Sequence, residues 1–271
     1  MYQILQGRFK NSAWGVISTS ETVFGSGTIL AAGKSKIVLL TCAHVVTSPD
    51  TLISYFETTD EDPTRCIQSI SLKEKQENWV KDLSACGSFN VLASDDLTDI
   101  ALLGQNCERL TDTVMSLPYP AGRARDLGWG SFVYIFGYPL GNQVVTHGIA
   151  SPSPKRPAGE FSIDALLNKG YSGGIIMALR NGMPNFELVG MVKTVNSTRE
   201  EFLKPASGEQ RKPEWLPYSG EIFTGKFDHI QYGLNVVVTV EEILDFYKNN
   251  RHTIHSRGYN LDGFFEIAKD F

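Results

Sequence analysis

Long apolar runs, basic stripes and clustered cysteines are all missing from this chain, and each absence closes off a class of protein. No apolar stretch approaches the roughly 20 residues that a membrane helix needs. The segment Met1–Arg8 has no charged start leading into an apolar run, so neither a signal peptide nor a membrane span is expected. Lys and Arg number 25 against 30 Asp and Glu, a net charge of −5. With no interleaving of basic and aromatic residues, nucleic acid is not an expected partner. Four cysteines, Cys42, Cys66, Cys86 and Cys107, are spread through 271 residues without metal-ligand spacing. Without an export signal, reduced thiols in a cytoplasmic protein are the expectation. His252 and His255 lack further ligands and are expected on the surface, so no metal and no cofactor is assigned. Internal repeats and low-complexity tracts are absent too.

What is present is a succession of short β-branched runs punctuated by glycine, proline, Asn and Asp, the pattern of barrels or sandwiches. With 42% hydrophobic residues, the chain can bury one sizeable core or two adjoining ones. A first set of strands runs from Ala13 to about Leu103. Thr111 to Asp126, with Pro118, Pro120 and Gly122, reads as a linker, and a second set starts at Phe132–Phe136 and ends with Leu234–Val238. Val240, Ile243, Leu244 and Tyr247 then recur at helical spacing behind Thr239, a good N-cap, which predicts a terminal helix over about 240–249. Asn196–Asp228 is long, polar and proline-containing, with Trp215 and Leu216 inside it, and is expected to be a functional or disordered loop. The tail from Arg251 carries Tyr259, Leu261, Phe264, Phe265, Ile267 and Phe271. It is too apolar to stay solvated and should pack back on the body or dock on a partner.

Three segments carry chemistry. Lys36–Thr41 is an apolar, β-branched run that reads as a buried strand and delivers His44 just beyond its end, where a base can meet solvent. Asp99 stands immediately before Ile100-Ala101-Leu102-Leu103, a second short buried strand, at the desolvated edge of a core. Ser172 lies between Gly170 and Gly173-Gly174, which free the backbone to turn sharply and to approach a substrate carbonyl. A serine hydroxyl becomes a competent nucleophile when an imidazole takes its proton and a carboxylate orients that imidazole. The N–H groups of Gly170 and Ser172 are suited to an oxyanion hole. Asp95 and Asp96 are rival carboxylates, but neither abuts the apolar run. Taken singly, each segment also has a plain reading: a packed histidine, a strand-ending Asp, a Ser in a turn.

The order His, Asp, Ser and the flanking motifs resemble the trypsin-like superfamily and, within it, the HtrA/Deg branch. Phe24–Leu30 resembles that branch's glycine-rich first hairpin, Leu40–Val46 its histidine segment and Val91–Leu103 its Asp segment. Gly137–Gly141 with Val145–Ser151 resembles the opening of the second barrel. Asp164–Gly174 resembles the nucleophile loop, and Leu188–Val192 the substrate-side strand. Together the matches span about residues 12 to 250. The resemblance implies an all-β fold of two antiparallel barrels, about 12–115 and 128–240, with a C-terminal helix. It implies His44, Asp99 and Ser172 as triad, Gly170 with Ser172 as oxyanion donors, and Leu166, Leu167, Met191, Val192 and Lys193 as substrate-binding residues. The implied activity is serine endopeptidase action on a protein or peptide substrate. Ala165, Leu166 and Leu167 floor the implied P1 pocket without a carboxylate, which favours a small or aliphatic P1 residue.

Departures from the family pattern are equally informative. No PDZ domain is expected after the protease part. Tyr171 stands where digestive relatives have an Asp that pairs with a newly cut N-terminal amine, so activation by trimming has no anchor. Lys193 occupies a position usually held by a small or amide residue, and a solvated lysine is expected there, with reach to substrate as the alternative. A protease-fold binding module, a partner-activated effector protease and an esterase are the rival readings.

Overall fold

We describe a computed structural model of the chain, covering residues 1–11, 24–33, 35–47, 51–55, 67–108, 114–151, 159–180, 182, 184–205 and 222–266. Two β systems follow one another. The first is a seven-stranded antiparallel sheet of β1 (Tyr2–Asn11), β2 (Phe24–Gly33), β3 (Lys36–Thr41), β4 (Thr51–Tyr55), β5 (Ile67–Val80), β6 (Asn90–Asp95) and β7 (Ile100–Asn106), with β4 and β6 at its two ends. The second is a closed six-stranded barrel of β8 (Phe132–Gly137), β9 (Val144–Ser151), β10 (Glu160–Asp164), β11 (Ile175–Leu179), β12 (Phe186–Pro205) and β13 (Ile222–Thr239). A one-turn helix α1 (Ala43–Val46) follows β3, and α2 (Val240–Ser256) and α3 (Asp262–Glu266) follow the barrel. This is the all-β, two-part architecture with a terminal helix that the sequence implied.

β3 and β7 form the spine of the first sheet. Their residues Ile37–Thr41 and Ile100–Leu103 are all buried, so the near-continuous apolar runs seen in sequence are strands covered on both faces. The linker does not cross solvent freely. Gly122 N and Leu188 N exchange hydrogen bonds with Leu188 O and Pro120 O at 2.8 and 2.9 Å, and Leu117 N donates to Ile29 O at 2.8 Å. Its start at Thr111 lies outside the described residues.

The first sheet begins with β1 at Tyr2, ahead of the expected start at Ala13, and three further expectations are corrected here. Cys86 and Cys107 form a disulfide, where reduced thiols were expected. The 21-residue separation hid the pair, because the 3-10 segment Lys81–Cys86 and the end of β7 meet only after the β6–β7 hairpin folds. Cys42 is free and buried, and Cys66 lies outside the described residues. Secondly, the ends of the segment read as the loop 196–228 are strands: β12 and β13 stay in register from Ser197↔Ile230 to Pro205↔Ile222. Thr198, Phe202, Ile222, Phe223, Phe227 and Ile230 are residue types that favour extended chain. Trp215 and Leu216 lie outside the described residues. Finally, α2 runs to Ser256 rather than 249, because Ile254 continues the buried stripe of Val240, Ile243, Phe246 and Tyr247. Thr239 caps it as predicted, accepting from Glu242 N at 3.2 Å.

The tail folds back: Leu261 and Phe265 are buried in the core of the first sheet, and Lys36 Nζ lies 5.0 Å from the Tyr259 ring centroid. Ile267 and Phe271 lie outside the described residues. His252 is exposed and the His255 side chain is 33% exposed; the Tyr247 hydroxyl meets His255 Nε2 at 3.1 Å and also donates to Asp262.

Candidate active site

Helix α1 decides where His44 points. Ala43, Val45 and Val46 are buried, so a single turn with three inward residues sends the fourth out, and the His44 side chain is 48% exposed. β6 returns to β7 through a turn whose amide of Leu97 and hydroxyl of Thr98 both bond Asp95, at 3.1 and 2.8 Å. Those two bonds hold the Asp95 carboxyl below the ordinary carboxylate range, with Lys193 a smaller contributor. Asp95 is therefore the turn's cap, with both carboxylate oxygens engaged inside its own turn. Asp99 leaves the turn at φ 60°, a left-handed conformation that Asp tolerates better than most residues.

From there Asp99 grips the histidine segment with three oxygens. Its Oδ1 accepts from His44 N at 2.9 Å and its Oδ2 faces His44 Nδ1 at 2.7 Å. Its carbonyl accepts from Ala43 N at 3.2 Å. A carboxylate at Nδ1 selects the tautomer protonated there, which leaves Nε2 as an acceptor facing outward.

The nucleophile loop joins this assembly through Ser26, a residue that sequence reasoning passed over. Ser26 Oγ donates to Gly170 O at 2.7 Å and accepts from Tyr138 N at 2.8 Å. Ser26 N donates to Ser172 O at 2.8 Å, and Thr41 Oγ1 donates to Ser26 O at 2.8 Å. One buried serine on β2 thus ties both oxyanion-loop carbonyls to the strand that delivers His44. The signal available in sequence was only Gly25-Ser26-Gly27. Gly173, at φ 82°, packs so closely that a Cβ would collide with Ser26 O and Thr41 Oγ1, so the glycine is required here. On the other side of the loop, Gly173 N donates to Val192 O at 3.0 Å and Val192 N to Gly174 O at 2.7 Å.

Among the described residues, the N–H groups of Gly170 and Ser172 donate to nothing within the chain, and Ser172 Oγ makes no hydrogen bond. The structure therefore assembles the His44–Asp99 pair fully and fixes Ser172 by its backbone. A bond from a serine nucleophile to its histidine base commonly tightens only when substrate is bound.

The expected substrate-binding residues divide. Leu166 is 74% exposed, but Leu167, Met191 and Val192 have no accessible surface. Their side chains fill the cores, Met191 in that of the first sheet and Leu167 and Val192 in that of the barrel, as successive residues of an extended chain face opposite sides. Lys193 is neither solvated nor free for substrate. Its Nζ donates to Leu97 O at 3.0 Å and to Glu160 Oε1 at 2.8 Å, with only 18% and 16% of the two side chains exposed. Tyr171 is buried against the barrel core.

Cys42 Sγ, His44 and Asp99 place one donor atom each within 4.8 Å of one another. Each of the three is also hydrogen-bonded within the chain. The thiol donates to Val192 O at 3.1 Å, burial pushes its pKa up with Asp99 adding to the effect, and Nδ1 is committed to Asp99.

Fold and site together define a trypsin-like protein. The trypsin-like peptidase domain family matches residues 25–191, more than half of the chain and the span that holds His44, Asp99 and Ser172, and the chain belongs to that family. Among solved structures it is similar to the HtrA-type protease AlgW with tripeptide, at 18% identity and a TM-score of 0.51, over 95% of this chain and 60% of that one. An AlgW variant with decapeptide matches at 16% identity and a TM-score of 0.51, over 95% and 64%. The likeness is one of fold, and the chain spans less than two thirds of the length of these AlgW chains. No curated protein matches the sequence.

Proposed function

We propose that the chain is a serine endopeptidase in which Ser172 is the nucleophile, His44 the general base and acid, and Asp99 the residue that orients His44. The observation that carries this reading is the grip of Asp99 on both the backbone and the ring of His44. It leaves Nε2 free to take the Ser172 proton as Oγ attacks a peptide carbonyl. The tetrahedral oxyanion is stabilised by the unengaged N–H groups of Gly170 and Ser172. Collapse expels the amine with the proton from His44, and water then repeats the sequence to release the acyl group. Family membership supports the peptide or protein substrate. Exposed Leu166 on the nucleophile loop supports a small or aliphatic P1 residue, with Asp164, also exposed, as the carboxylate that would serve a basic one. Cys42 is no rival nucleophile, because a buried thiol of raised pKa yields little thiolate.

The test is fluorophosphonate labelling together with turnover of a peptide library. Ser172→Ala and His44→Ala should each lower kcat by on the order of a millionfold, since triad members act as a unit. Equal peptidase activity in Ser172→Ala and the parent chain removes the reading. Dominant cleavage after Lys or Arg removes the P1 assignment alone.

A further inference from the structure

The mechanism gives Lys193 no task, yet the fold takes trouble to place it. β12 pairs Val192 with Val237 and then Thr194 with Val236, so Lys193 is the extra residue of a β-bulge. Bulges re-aim a side chain out of the strand's alternation. The re-aimed chain leaves the barrel and reaches the first sheet, where Nζ donates to Leu97 O at 3.0 Å. Glu160, at the start of β10, holds the ammonium at 2.8 Å from the barrel side. Leu97 stands two residues before Asp99, in the turn whose amide and hydroxyl are held by Asp95. Asp95 therefore pins the turn from within its own sheet, and Lys193 pins the carbonyl between those two contacts from the opposite half of the molecule. A residue at φ 60° directly after that turn has a carboxylate direction set by the turn's own position.

We propose that Lys193 is a positioning residue for the Asp99–His44 pair, acting through the Leu97 carbonyl as a strut between barrel and sheet. The inference rests on the peptidase reading for its kinetic consequence but not for its structural one. Losing the strut frees the turn, Asp99 drifts from Nδ1, and the imidazole loses its alignment toward Ser172. The effect falls on the chemical step rather than on substrate binding, because Lys193 Nζ is occupied within the chain. A displacement of about 1 Å in such a group costs on the order of a hundredfold in rate.

Two variants separate positioning from charge compensation. Lys193→Met removes the strut and takes from Glu160 its ammonium partner. Lys193→Gln combined with Glu160→Gln leaves a neutral pair that folds without a stranded carboxylate, yet Gln is too short to span to Leu97. Both are compared with the parent chain by kcat and KM, and by the far-downfield proton resonance of a histidine Nδ1–H bonded to a carboxylate. Expected is a fall in kcat of about a hundredfold with KM little changed, and loss or broadening of the resonance, in both variants. Parental kcat and an intact resonance in Lys193→Met overturn the proposal. So does recovery of both in the double variant, which would reduce Lys193 to a counter-ion for Glu160. A lost kcat with an intact resonance overturns it as well. The resonance is read without substrate, so it tests the strut even if the parent chain cleaves no peptide, a result that would instead remove the peptidase reading.

Discussion

The sheet that bears His44 and Asp99 and the barrel that bears Ser172 reach stability by different routes. The barrel is closed, and Val133, Ile135, Ile163, Ile176, Val189 and Val237 fill it from within. Closure removes the strand edges that an open sheet exposes. The first sheet has β4 and β6 at its ends, and its core is not its own. The cluster around Ile37, Leu39, Leu40 and Leu103 is completed by Ile175, Leu188 and Met191 from the barrel strands, by Ile243, Phe246, Ile254 and Phe265 from the C-terminal helices, and by Leu261 just before α3. A disulfide staples the same half. The difference teaches that the half bearing His44 and Asp99 draws its core partly from distant parts of the chain, whereas the barrel bearing Ser172 is filled by its own strands.

The largest expected effect breaks the sheet and spares the barrel. Removing 257–271 takes away Leu261 and Phe265 together with the Arg257 contacts to Val91 O and Leu92 O at 2.9 and 3.2 Å. Two buried side chains at about 1.5–3 kcal/mol each predict a loss of about 3–6 kcal/mol in denaturant unfolding. Hydrogen exchange should show β3 and β7 losing protection before β8 and β11. Equal loss in both halves would end the comparison.

Next comes the staple. Cys86→Ser with Cys107→Ser opens a loop of 21 residues, which by chain entropy alone corresponds to about 3 kcal/mol. Unchanged stability would restore the expectation of reduced thiols and leave the sheet held by its helices alone.

The smallest effect is at the joint. Ser26→Ala strips a partner from Gly170 O and another from Tyr138 N, both buried, and at the low end of the usual range each orphaned group costs about 1 kcal/mol. Stability measured by denaturant should fall by about 2 kcal/mol, and fluorophosphonate labelling of Ser172 should slow because the Gly170 carbonyl no longer sets the loop. Normal labelling would mean that the two halves are aligned without Ser26.

Several features were legible because their causes are local. Apolar, β-branched runs located β3, β7 and β8, helical spacing located the start of α2, and Thr239 announced its cap. The position of Asp99 directly before a buried strand distinguished it from Asp95, four residues earlier, which turned out to bond its own turn. Local patterning also brought Gly170, Ser172 and Gly173 onto one turn. Where the sequence misled, the deciding contact was remote. Asn196–Asp228 looked like a loop because its polar composition hid a partner strand that pairs only once the chain has doubled back.

The sequence by itself determined which residues could do the chemistry: strand-forming runs, a cap and glycines act within a few residues of themselves, and those interactions are written in neighbouring letters. Only the tertiary structure decided how the groups are held. Ser26 meets Gly170 across 144 residues, Cys86 meets Cys107 around a hairpin, and Lys193 turns from a surface charge into a strut because a single extra residue in β12 re-aims it toward Leu97. Such contacts depend on strand register and on which face a bulge exposes, and neither exists until the two halves have folded against each other.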